Sequence, residues 1–217
     1  QSSRFKLDSI LDATLSFPDN GVNGIVLHGL YGTGKTTMAN LLPGLIETAK
    51  SDPNAQAIPT GDLTDTTNPA QSYHPCIQGQ NGVGLINSIQ NATSFVSWNA
   101  SGLHYIIIDE VDLLTKSAQE SLKSAMNTSR CIFVLTTNYI ADLDRGLLDR
   151  CVLVEMNAAK NEQLLPLAHQ IAAEQGVTVA DEELLPTIKA ANGSFRNITH
   201  NVERLVRRRN IPSNIIF

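Results

Sequence analysis

The sequence predicts an α/β protein in which a parallel β-sheet flanked by helices is followed by a small three-helix lid. Three observations carry this. Leu103 to Ile108 and Cys131 to Leu135 are continuous apolar runs too short for helices, the pattern of strands buried on both faces of a parallel sheet. Helical patterns alternate with such runs up to residue 157, as βα units require. Beyond that point helical patterns follow one another with no strand between them, which marks out a second, all-helical domain over 158–210.

Taken in order, Lys6 to Phe17 places Leu7, Ile10, Leu11, Leu15 and Phe17 mostly three or four apart, so a helix is expected, ended by Pro18. Gly24 to His28 reads as a short buried strand. A Gly-rich turn follows, and a helix begins at Thr36 that Pro43 is expected to kink or end. Ser51 to Tyr73 has the Pro, Thr, Asp, Asn and Gly content of a loop, with a short strand near Ala57. Val83 to Trp98 puts Leu85, Ile86, Ile89, Ala92, Phe95 and Val96 on one face of an amphipathic helix whose stripe should be core. Thr115 to Asn127 is helical in spacing, and Val152 to Glu155 is a further strand. The lid helices are expected over Asn161 to Gln175, Asp181 to Ala191 and Ser194 to Arg209, with Gly176 and Gly193 as stops.

Composition narrows the function classes. The chain has 217 residues, 42% hydrophobic and 17% charged, an ordinary globular balance. No apolar run approaches the roughly 18 residues of a membrane span and no signal-peptide pattern opens the sequence, so no membrane is expected and the chain reads as intracellular, cytoplasmic or nuclear. Three cysteines, Cys76, Cys131 and Cys151, are widely spaced without a CxxC pair, which argues against a disulfide framework or a structural zinc and for small buried hydrophobes. A net charge of -5 restricts any nucleic-acid contact to a local patch.

The chemistry concentrates at three strand ends. Gly29-Leu30-Tyr31-Gly32-Thr33-Gly34-Lys35-Thr36 satisfies GxxxxGK[ST] between a strand and a helix, the P-loop arrangement in which backbone N–H groups and a helix N-terminus cradle phosphate. Lys35 is then expected on the β and γ phosphates of ATP, the Thr36 hydroxyl on Mg²⁺, and Thr37 beside it in the first helical turn. The bland alternative is a Gly-rich turn with a surface lysine. Asp109, ending the second apolar run, would hold Mg²⁺, and Glu110 after it would take a proton from an attacking water; alternatively both cap the next helix. Thr136-Thr137-Asn138 ends the third run, where Asn138 either orients that water or is a turn residue.

Asp109-Glu110-Val111-Asp112-Leu113-Leu114-Thr115, Ala118-Gln119, Leu122, Phe133 to Tyr139 and Leu148-Asp149-Arg150-Cys151 together resemble the small ATPase subunits of clamp loaders, in the AAA+ group of P-loop NTPases, with compatible spacing from Gly24 to Leu205. The resemblance implies catalytic roles for Lys35, Glu110 and Asn138, an arginine finger at Arg150 that enters a neighbouring subunit's site, and a nucleotide-sensing lid arginine at Arg196. Surface pairing is the alternative for both arginines, Arg150 with Asp149 or Asp144 and Arg196 with Glu203. It further implies MgATP as the bound species and, as partners, other AAA+ subunits, a sliding clamp and primer-template DNA. Residues 1–157 form the nucleotide-binding domain on this reading, and 211–217 an apolar tail leading toward the helical collar the family carries. Arg204 to Arg209 are either phosphate contacts or a solvated basic helix end. Rival functions are another DNA-associated AAA+ remodeller, such as a helicase loader or Holliday-junction motor, and a nucleotide-binding scaffold that does not hydrolyse.

Overall fold

A computed structural model describes residues 3–11, 17–19, 21–51, 69–157 and 159–210. The expected strand near Ala57, residues 12–16 of the first expected helix and the tail 211–217 lie outside the described residues. Contacts divide the chain into two units, Gln1–Gly29 with Lys35–Glu155, and Leu30–Gly34 with Met156–Phe217.

The first unit is built on five parallel strands: β1 (Gly24–His28), β2 (Gln71–Pro75), β3 (His104–Asp109), β4 (Cys131–Thr137) and β5 (Cys151–Glu155), in the order β2-β3-β4-β1-β5. Every residue of β4 is buried, as are Ile25, Val26 and Leu27 of β1 and Tyr105 to Ile108 of β3, because helices cover both faces of a parallel sheet. These helices are α1 (Ser3–Leu11), α2 (Lys35–Ser51), α3 (Val83–Thr93), α4 (Lys116–Ala125) and the single turn α5 (Arg145–Leu148). Thr115 caps α4 by accepting from the Ala118 N–H at 3.2 Å, and Asp144 caps α5 by accepting from Leu147 at 3.1 Å. Cys76 and Cys131 are buried and Cys151 is partly so. Among the described residues no helix is long and apolar enough to cross a membrane.

Three expectations need correction. Pro43 does not end helix α2, which runs through it to Ser51. The ring removes one backbone hydrogen bond, but Leu42 and Ile46 on either side are fully buried, and that burial, roughly 1.5–3 kcal/mol for each side chain, holds the helix together across it. Tyr73 is not in a loop: residues 71–75 form the edge strand β2 beside β3. Helix α3 stops at Thr93, and Phe95 and Val96, expected in its core stripe, are exposed; Trp98 beyond them is 97% exposed.

One polar cluster sits inside this unit. Glu47 of α2 is buried, and its carboxylate accepts from the Tyr105 hydroxyl at 2.6 Å, from the Ser101 hydroxyl at 2.6 Å and from the Ser101 N–H at 2.8 Å. Burial alone would raise the pKa of Glu47; the hydrogen bonds from Ser101 and Tyr105 override it and hold the carboxyl below its ordinary value.

The second unit contains α6 (Leu165–Glu174), α7 (Asp181–Ala190) and α8 (Phe195–Asn210). In α8, Ile198, Val202 and Val206 recur at i, i+4 and i+8 and are essentially fully buried with Ala168, Ala172, Leu184 and Ile188. Asp181, Glu182 and Glu183 open α7 and Arg207, Arg208 and Arg209 close α8, each sign matching the helix dipole.

Candidate nucleotide site

In an all-parallel sheet the C-terminal ends of the strands share one edge. Gly29 follows β1, Asp109 ends β3 and Asn138 follows β4, and because β4 lies between β1 and β3, all three reach that edge side by side. Lys35 opens α2, and although a lysine it is only 8% exposed; its ammonium donates to the Gly29 carbonyl at 3.0 Å. Burial lowers its pKa, against the raising pull of Asp109, Asp112 and Glu110. A buried cation beside three carboxylates at a helix N-terminus is suited to polyphosphate with a counter-cation.

The Asp109 carboxylate is the meeting point. It accepts from the Thr36 hydroxyl at 3.0 Å on Oδ1 and 3.2 Å on Oδ2, from the Tyr73 hydroxyl at 2.6 Å on Oδ2, and from the Thr136 hydroxyl on Oδ1. The Thr136 oxygen in turn accepts from the Glu110 N–H at 3.0 Å, and Thr137 donates to Asp112 at 2.5 Å. A hydroxyl oxygen and a carboxylate within hydrogen-bond distance form an all-oxygen ligand pair, the chemistry that Mg²⁺ prefers, so Thr36 and Asp109 fit that cation. Glu110 is exposed and adopts a left-handed backbone, φ 57° and ψ 50°, where chain and sheet part. Neither carboxylate supplies a side-chain N-cap: Glu110 makes no cap bond to the turn Val111–Leu113, and α4 is capped by Thr115.

The P-loop glycines answer to local geometry. Leu30–Gly34 belongs to the second unit, where the Phe195 N–H donates to the Gly32 carbonyl at 2.8 Å. Gly32 has φ +73°, and a Cβ there would lie 2.2 Å from Ser194 Oγ, so conformation and space both exclude a side chain. Thr33 is buried and donates to the Leu30 carbonyl at 2.9 Å, while Leu30, Tyr31, Thr36 and Thr37 are exposed. Arg196 is exposed near the start of α8, and Glu203 lies 4.0 Å from Arg207.

Arg150 is not at this edge. It immediately precedes β5, whose first residue pairs with Gly24 at the start of β1. Its guanidinium donates to Asn127 Oδ1 at 3.2 and 3.1 Å and to the Gly146 carbonyl at 2.8 Å, and forms no ion pair with Asp149 or Asp144; Asp144 pairs with Lys123 at 3.2 Å. Arg209 pairs with Glu183. Two residues at Asp109 escaped the sequence reading, Tyr73 and Thr136. Thr136 had a signal, a hydroxyl at the end of a buried run; Tyr73 had none, since its contact depends on which strand neighbours β3.

Residues 25–157 match the ATPase family associated with various cellular activities (AAA). The chain is 24% identical over 127 residues to the replication factor C small subunit of Methanosarcina acetivorans, a match covering 57% of this chain and 38% of that protein. It is 23% identical over 175 residues to replication factor C small subunit 2 of Pyrobaculum islandicum, covering 79% of this chain and 49% of the relative. The aligned stretch is thus less than half of either relative. Among solved structures, the RuvB Holliday junction branch migration motor of Thermotoga maritima superposes with a TM-score of 0.64 at 19% identity, covering 94% of this chain and 60% of that one; this likeness is one of fold.

Proposed function

The chain belongs to the ATPase family associated with various cellular activities, and from that premise we propose that it is the ATP-hydrolysing part of a DNA sliding-clamp loader subunit. The observation that carries the hydrolytic reading is the convergence of Lys35, Thr36, Asp109 and Glu110 at one sheet edge, with Thr36 3.0 Å from Asp109. Similarity to two replication factor C small subunits supports the loader assignment.

On this reading Gly29 to Thr37 bind the phosphates, with Lys35 supplying the fixed cation. Thr36 and Asp109 would hold Mg²⁺, which when bound with ATP neutralises charge on the phosphoryl oxygens. Glu110 accepts the proton of the attacking water and Asn138 orients it. Arg196 senses the nucleotide in its own subunit. Arg150 serves a different subunit: five residues of β5 separate it from the strand ends, about 16 Å at 3.3 Å per residue, so its own site is out of reach. Other AAA+ subunits, a sliding clamp and primer-template DNA are the partners that follow.

Two variants test the site together. Lys35→Ala should abolish MgATP binding in titration calorimetry, because it removes the cation aimed at the terminal phosphates. Glu110→Gln should bind MgATP but hydrolyse it on the order of 10² to 10⁴ slower in single-turnover assays, since the amide accepts no proton. Near-normal affinity in the first, or unchanged turnover in the second, would remove that residue from its role. Stimulation of wild-type turnover by clamp with primed DNA supports the loader; stimulation by four-way junction DNA alone rejects it.

A further inference from the structure

Most hydroxyls around Asp109 belong to elements already implicated in nucleotide chemistry, but one does not. Tyr73 comes from the edge strand β2, and its register explains how it arrives. Pro75 pairs with Asp109 and Tyr73 with Ile107, so Tyr73 stands two residues behind Asp109 on the neighbouring strand and on the same face of the sheet. From that position a long side chain reaches diagonally forward, and the phenol oxygen ends 2.6 Å from Asp109 Oδ2. Oδ1 is anchored by Thr36 and Thr136, which leaves Oδ2 with Tyr73 as its closest donor, Thr36 standing at 3.2 Å. Without that phenol, the carboxylate would be held mainly through one oxygen and free to turn about its Cβ–Cγ bond. With it, both oxygens are fixed.

We propose that Tyr73 is a positioning residue for the cation site: by fixing Oδ2 it sets the orientation in which Asp109 presents itself to Mg²⁺ and its water shell. The inference rests on the ATPase reading above, with Asp109 as metal-holding carboxylate. It adds that β2, which contributes nothing to the phosphate-binding segment, controls the geometry of that carboxylate. Outer partners of metal-holding carboxylates typically change metal affinity by 10- to 100-fold when removed, because a misoriented ligand must be reordered on binding.

The test is Tyr73→Phe, which keeps the ring and deletes only the donor. ATP affinity is measured by calorimetry in excess Mg²⁺ and in EDTA, and the Mg²⁺ concentration giving half-maximal enhancement is read for wild type and variant. Binding of Mn²⁺ to the ATP complex, followed by electron paramagnetic resonance, gives a second reading independent of turnover. The expected result is a rise of about tenfold in the required metal concentration, matched in the Mn²⁺ titration. Thr136→Val, which deletes one of the two donors on the other oxygen, should shift the same titrations in the same direction. Tyr73 is 44% exposed, so the variant is expected to fold, and its urea midpoint serves as the check. If wild type responds to Mg²⁺ and Tyr73→Phe responds at the same concentration, the proposal is wrong while the site reading stands. If wild type itself binds ATP no better with Mg²⁺, the site reading fails and takes the proposal with it.

Discussion

Glu110 shows how much of this site is decided at a single peptide. Among the described residues only Glu110 and Asn192 have a positive φ without being glycine. A left-handed backbone costs an L-residue roughly 1–2 kcal/mol, so something must hold Glu110 there. Thr136 does, since its hydroxyl accepts the Glu110 N–H while donating to Asp109, fixing the candidate base and the candidate metal ligand through one side chain. Glycine at 110 would relieve the conformation, and alanine would keep the strain without the carboxylate. Glu110→Gly should therefore be more stable than Glu110→Ala by about 1 kcal/mol in urea unfolding, with both inactive in hydrolysis. Equal midpoints would mean that the left-handed conformation stores no strain. The P-loop and Asp109-Glu110 were legible in the sequence because their spacing is local. Thr136 and Tyr73 were not legible as partners of Asp109, because each owes its place to strand pairing that no short window of sequence encodes.

At the scale of elements, legibility followed burial. Strands β3 and β4 announce themselves as apolar runs because both faces are covered, whereas β2, reading Gln-Ser-Tyr-His-Pro with alternating exposure, has no apolar signal and exists because β3 offers it an edge. Helical spacing continued past Thr93 in the sequence, but with Phe95, Val96 and Trp98 exposed, periodicity there recorded composition and not packing. Pro43 differs in the opposite direction: as a helix terminator it is overruled by tertiary burial. The link between α2 and β3 carries its own test. Glu47 has a folded pKa below the ordinary carboxylate value of about 4.3, so its contribution to stability is complete above that value and is lost as pH falls through the folded one. Glu47→Gln keeps the shape but loses charge-assisted hydrogen bonds from Ser101 and Tyr105, and should cost about 2 kcal/mol at pH 7. The difference between wild type and variant should shrink as the pH is lowered below about 4. A difference that stays constant from pH 7 to pH 3 would show that Glu47 is not held as a carboxylate.

For the whole molecule, the decisive feature is that the candidate finger and the candidate site of one chain occupy opposite edges of one sheet. A guanidinium held by Asn127 and Gly146 at the start of β5 can act on a phosphoryl group only if another subunit brings its P-loop to that edge. The expected behaviour is complementation. On the proposed function, a Lys35→Ala subunit would have a dead site and a sound finger, and an Arg150→Ala subunit a sound site and no finger to give. Each alone should be nearly inactive, since losing an arginine finger costs on the order of 10³ to 10⁵ in rate. Mixed, they would form interfaces in which an intact site faces an intact finger, so part of the activity should return. Because assembly is governed by mass action, wild-type specific activity should also rise with protein concentration, and the mixing belongs at high concentration with clamp and primed DNA present. Asn127→Ala, which releases two of the three hydrogen bonds on the guanidinium, should weaken a subunit as finger donor while leaving it competent as an acceptor in the same mixtures. If Arg150→Ala alone hydrolyses ATP at the wild-type rate while sedimentation shows it assembled, no finger acts between subunits, and the sheet edge that carries Arg150 has a structural role only.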